Sequence, residues 1–172
     1  GASMSFSKYS SQIFAHGRWT GEPPPIPEFF EQTHVFVEPR LAAKYPPGNS
    51  LLLVPGVWVG LIGLMPLVFT VAAGGLVFAI ARRLTDPWIA TLTWALWSTS
   101  TAGLFWRASY YSQNADTVLW LLSMWALLEW RAHNKPWSLI VVACAFAWMY
   151  LTRPLTAVAL AAPVAVIVMV TA

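Results

Sequence analysis

The sequence predicts an all-α protein: a polytopic membrane helix bundle of about five transmembrane helices plus a broken or re-entrant segment. An N-terminal extracytoplasmic amphipathic helix and a Pro-rich loop precede it. Three observations carry this reading. Hydrophobic residues make up 58% of the chain and charged residues 10%, whereas soluble domains average about 25% charged residues, so too few charges exist to clothe a water-facing surface. From Pro66 onward the apolar runs approach the length of a bilayer crossing and alternate with short polar turns. Trp88, Trp106, Trp130 and Trp137, four of eleven tryptophans, fall at expected helix ends, where an aromatic belt would sit.

The chain divides at Lys44-Tyr45-Pro46-Pro47-Gly48-Asn49-Ser50. Residues 1–50 form a polar extracytoplasmic arm and residues 51–172 the transmembrane bundle. Two successive prolines lack backbone donors and fix φ, so no regular helix runs through them. Gly48 frees the backbone for a sharp exit, and Asn49 or Ser50 can cap the next helix. Lys44 thus sits on a rigid turn at the edge of a hydrophobic slab. It reads either as a snorkelling boundary lysine or as part of an anion site.

Within the arm, residues 5–19 predict a short helix, with Phe6, Tyr9, Ile13 and Phe14 near helical spacing and Gly17 and Gly21 ending it. It lies on the membrane surface or packs on the rest of the protein. Residues 21–44 predict a loop with polyproline character at Pro23-Pro24-Pro25 and Pro27. Glu28, Glu31 and His34 form a candidate polar site there; a metal site at Glu31 and His34 competes with plain surface placement.

Residues 51–64 are too short to cross a bilayer and contain Pro55 and Gly56, which predicts the broken segment. The crossings are expected over 66–84, 87–106, 115–130, 137–151, and from Pro154 to the end. Among the short turns, Arg82, Arg83, Arg131 and Lys135 share one side and Arg107 and Arg153 the other. The positive-inside rule puts the first group in the cytoplasm. The hinge, the arm, the 107–114 turn and Arg153 then face outward, in a bacterial inner membrane.

Polar chemistry concentrates on that outer end. Tyr110-Tyr111-Ser112-Gln113-Asn114-Ala115-Asp116 is a polar turn entering a helix. Ser112 or Asn114 can cap it and Asp116 suits the helix dipole, while Gln113, Asn114 and Asp116 double as candidate site residues. Arg107 and Arg153 are membrane anchors or phosphate forks, and Thr152-Arg153-Pro154 pins one of them just before a helix start. The spans lack buried ionisable pairs, with Glu129 alone near a helix end, which argues against a transporter or channel.

Other classes drop out. The net charge of +3 is spread without a basic run, so no nucleic acid partner is expected. Lone Cys144 excludes an intramolecular disulfide and a cysteine metal cluster, and reads as a small buried hydrophobe. No phosphate loop, nucleophile elbow or HExxH pattern occurs, and the three histidines lack ligand spacing. No signal peptide precedes the first apolar run at Leu51. Gly1-Ala2-Ser3 before Met4 reads as a cloning remnant or part of a longer chain. The apolar run at 161–172 stops without a charged flank, which favours a longer protein.

Several of these elements together resemble a family. Phe14-Ala15-His16-Gly17-Arg18, the Pro-rich loop with Glu28-Phe29-Phe30, Lys44-Tyr45-Pro46-Pro47-Gly48, Tyr110-Tyr111-Ser112-Gln113 and Leu151-Thr152-Arg153-Pro154 are similar to segments of GT-C glycosyltransferases. The likeness is to the bacterial branch related to protein mannosyltransferases and aminoarabinose transferases. The resemblance implies a membrane bundle that takes a sugar from a polyprenyl-phosphate donor on the outer side, without direct use of a nucleotide sugar. It implies a lipid-phosphate site at Lys44, Tyr45 and Arg153, with Arg107 as the second arginine. It implies a divalent metal only if the chain is an active transferase.

One departure bears on catalysis. The family carries an acidic pair shortly before its Phe-Ala-x-Gly-Arg-like element, but counting back from Phe14 reaches Ser3-Met4, and no carboxylate occurs before Glu22. Sugar transfer with inversion needs a base to deprotonate the acceptor, so the catalytic residues are unassigned. The chain is expected to be a fragment or a catalytically degenerate member. The competing expectation is a non-catalytic structural subunit whose Trp-rich helices dock in a larger membrane complex.

Overall fold

The computed structural model describes residues 2–22, 35–36, 40, 42–43 and 46–171. Helix α1 (Ala2–Ala15) ends where Gly17 turns left-handed at φ 72°. Strands β1 (Val35–Phe36) and β2 (Ala42–Ala43) pair antiparallel, Val35 opposite Ala43, inside the stretch expected to be loop. Helix α2 (Gly48–Trp58) is short and contains Pro55. A turn through Gly60 (φ 73°) leads into α3 (Leu64–Leu84), so the expected broken segment is present.

The expected single helix over 87–106 is two helices, α4 (Pro87–Thr99) and α5 (Thr101–Arg107). Ser100 (φ −58°, ψ 112°) leaves helical geometry, and its Oγ accepts from the Gly103 N–H. A break orphans carbonyls, and the Arg107 guanidinium folds back to them, donating to Ser98 O (3.3 Å) and Ser100 O (3.4 Å). Helices α6 (Ser112–His133), α7 (Pro136–Thr152) and α8 (Pro154–Thr171) follow. Proline opens α4, α7 and α8, where its missing N–H costs nothing.

Helices α6 and α7 form the centre. Ala126, Leu127 and Trp130 pack with Val142 of α7 and Val164 of α8. On the other flank α3 meets α4 at Gly74, where a Cβ would come within 3.2 Å of the Trp97 ring. Outer faces are apolar: Val71, Leu96, Val158 and Met169 are all exposed. Among the described residues α3 alone is long and apolar enough to cross a bilayer; α7 and most of α8 are shorter apolar helices.

The structure corrects one reading of a buried group. Cys144 is exposed, because it precedes Ala145, which takes the core-facing position on α7. An ion pair also closes one end of the bundle. The nearly buried Glu129 accepts from Arg83 of α3 and lies 3.0 Å from His133 Nδ1. This contact joins the C-terminal ends of α3 and α6 at one end of the bundle. The hinge, the α5–α6 turn and the α7–α8 junction meet at the other.

A cavity built on the Arg153–Asp116 pair

The hinge is held by close backbone approach. A Cβ on Gly48 would lie 2.6 Å from Leu151 O and 2.9 Å from Thr152 N. Glycine is therefore needed for contact between α2 and the end of α7, rather than for a sharp exit. Gly48 O accepts from Trp148 Nε1 (3.3 Å), which fixes the same junction.

The two asparagines expected to cap helices do other work. Pro47 occupies the N-cap of α2 and Tyr111 that of α6, neither with a side-chain bond. Asn49 Nδ2 donates to Tyr110 O (3.0 Å) and Ser7 Oγ (3.4 Å), tying α2 to the α5–α6 turn and to α1. Asn114 Nδ2 donates to Ser109 O (2.7 Å) and Arg107 O (3.0 Å), closing that turn from inside. Both are buried, so free carbonyls of irregular backbone win over helix N–H groups already near water.

Asp116 also departs from expectation. It lies beyond the first turn of α6, whose start is Ser112, and so is too deep for the end of the dipole. Its side chain is 7% exposed and neither oxygen has a hydrogen-bond partner. Thr152 Oγ1 donates instead to Trp148 O (2.8 Å) and Met149 O (3.0 Å) of its own helix. Arg153 Nε, at 3.8 Å, supplies the opposite charge that a buried carboxylate requires.

Above this pair opens a cavity of about 430 Å³. Its walls are α1 (Ser7, Tyr9, Ser10, Ile13, Phe14), Trp19, the hinge (Pro46, Pro47, Asn49, Ser50), the α6 entrance (Tyr111, Ser112, Gln113) and Thr152-Arg153. Phe14 and Trp19 pack with ring centroids 5.3 Å apart, and Trp58 Nε1 donates to Ala15 O, clamping the end of α1 onto α2. Arg153 is the one cation among the described lining residues, and 42% of its side chain is exposed.

Of the site residues expected from sequence, Arg153 and Gln113 line this cavity, and Asn114 and Asp116 stand behind it. Arg107 is turned elsewhere, its guanidinium 4.0 Å from the Trp97 ring centroid. Lys44, Tyr45, Glu28, Glu31 and His34 lie outside the described residues. No group of three His, Cys, Asp or Glu among the described residues could hold a metal, so none is assigned a ligand role. The α1 wall was missed as a site element, although the helical spacing of Tyr9, Ile13 and Phe14 marked a packing face.

Among the described residues, apolar outer faces and polar groups gathered around a terminal cavity are the features of a helical membrane protein. The chain belongs to the dolichyl-phosphate-mannose-protein mannosyltransferase family, a GT-C-type glycosyltransferase family, whose profile matches residues 52–172. No curated protein and no solved structure matches the chain significantly.

Proposed function

We propose that this chain is a GT-C scaffold that holds a polyprenyl phosphate, or its sugar ester, at the Arg153 cavity. The observation that supports it most is the pairing of one cation with aromatic and hydroxyl walls at the end of an apolar bundle. Arginine binds phosphate oxygens as a planar fork, and a prenyl chain suits the apolar faces. In this reading Lys44 and Tyr45, which precede Pro46 in sequence, also serve the head group, while Arg107 serves the helix break.

The arm (1–50) is extracytoplasmic in a bacterial inner membrane. The crossings are α3, α4 with α5, α6, α7 and α8, while α2 dips in without crossing. A second reading, an accessory subunit, is favoured by the exposed Trp88 on α4, an aromatic open to another membrane protein.

Retention of farnesyl phosphate by purified protein, followed by native mass spectrometry, tests the proposal. Arg153→Ala and Lys44→Ala should each weaken binding about ten- to a hundredfold, as expected for losing a charged hydrogen bond. Equal retention in wild type and both variants would remove the site.

A further inference from the structure

We propose that Asp116 makes the cavity selective for a singly charged phosphodiester over a doubly charged phosphomonoester. The proposal rests on the reading of the cavity as a prenyl-phosphate site. Asp116 is 7% exposed, has no hydrogen-bond partner, and lies 3.8 Å from the guanidinium that lines the cavity floor. Ionised there, it offsets much of the positive potential that Arg153 would present to an anion. Its oxygens are buried, so no ligand displaces it.

The consequence depends on ligand charge. A phosphate on the cavity side of Arg153 would sit roughly 7 Å from the Asp116 carboxylate. At that range Asp116 takes away roughly fiftyfold of what one further negative charge would gain from Arg153, with near-surface screening at an effective dielectric of about 20. Desolvation acts in the same direction, because the hydration of an ion grows with the square of its charge while its attraction to Arg153 only doubles. A lipid-linked sugar phosphate is a diester with one charge. The prenyl phosphate left after sugar removal is a monoester that approaches two charges above its second pKa of about 6. Asp116 would thus hold a loaded lipid and release a spent one.

The test compares farnesyl phosphate with its methyl diester, by tryptophan fluorescence titration of the purified protein in detergent. Wild type should bind the diester about tenfold more tightly at pH 7.5, and the gap should close at pH 5, where the monoester carries one charge. Asp116→Asn, nearly isosteric, should close the gap at pH 7.5 chiefly by tightening the monoester. The pH comparison needs no variant, so a poorly folding Asp116→Asn leaves the proposal testable. Wild-type monoester binding that is equal at both pH values, or an unchanged ratio in a folded Asp116→Asn, overturns the proposal alone. Arg153→Ala should weaken both esters; if it weakens neither, the underlying site reading falls with it.

Discussion

Replacing Gly48 with alanine puts a methyl group into backbone. The new Cβ would stand 2.6 Å from Leu151 O, 2.7 Å from Leu151 C and 2.9 Å from Thr152 N. None of these is the movable end of a side chain, so α2 must back away from α7 by several tenths of an ångström. Overpacking of this kind costs about 1–3 kcal/mol. For a chain of this size that corresponds to a fall in Tm of about 3–10 °C. The shift also stretches the Trp148 Nε1 bond to Gly48 O and moves the Pro46-Pro47 wall next to Arg153, so farnesyl phosphate binding should weaken in parallel. Gly75 is the internal control: it lies in α3 with nothing within 4 Å of its ideal Cβ. Alanine there should be neutral or stabilising by about 0.5–1 kcal/mol, through the lower backbone entropy of the unfolded chain. Thermal scans in detergent at one heating rate compare the three proteins. A Gly48→Ala protein that melts within 1 °C of wild type and binds lipid normally would refute the close-approach argument.

Asn114→Ala removes one buried and one partly buried hydrogen bond, to Ser109 O and Arg107 O, and should destabilise by about 1–3 kcal/mol, read as a lower Tm. Asn114→Asp should not restore it, since a carboxylate cannot donate to those carbonyls. Glu28→Cys should react with a membrane-impermeant maleimide from outside intact cells, whereas His133→Cys should require permeabilisation; the reverse pattern would invert the topology. Purified protein given polyprenyl-phosphate sugars and a range of acceptors should show no turnover. Transfer abolished by Glu28→Gln or Glu31→Gln would place a base in the loop.

The helical class and most boundaries were legible because their causes are local. Pro136 and Pro154 mark helix starts, Arg82-Arg83 marks the end of α3, and composition alone makes the outer faces apolar. The break at Ser100 was not legible. No proline stands there, and the compensation comes from Arg107, seven residues away, whose guanidinium serves carbonyls that only the folded chain exposes. Asn49 and Asn114 illustrate the same limit. Their positions beside helix starts suggest caps, but their partners at Ser7, Tyr110 and Arg107 are set by how α1, α2 and the α5–α6 turn converge. Asp116 looked like a dipole residue because its distance to Arg153 spans two helices. Arg153 could be placed at a helix junction because Thr-Arg-Pro fixes it there, whereas the α1 wall could be recognised only once folded over it.

Photolabelling with a diazirine-bearing prenyl phosphate tests the central claim most directly. Labelled peptides should map to α1, the 46–50 hinge, the 111–113 entrance and the 152–153 junction, and excess farnesyl phosphate should suppress them. Labelling spread over the outer faces of α3, α4 and α8, and unaffected by that competitor, would contradict the account.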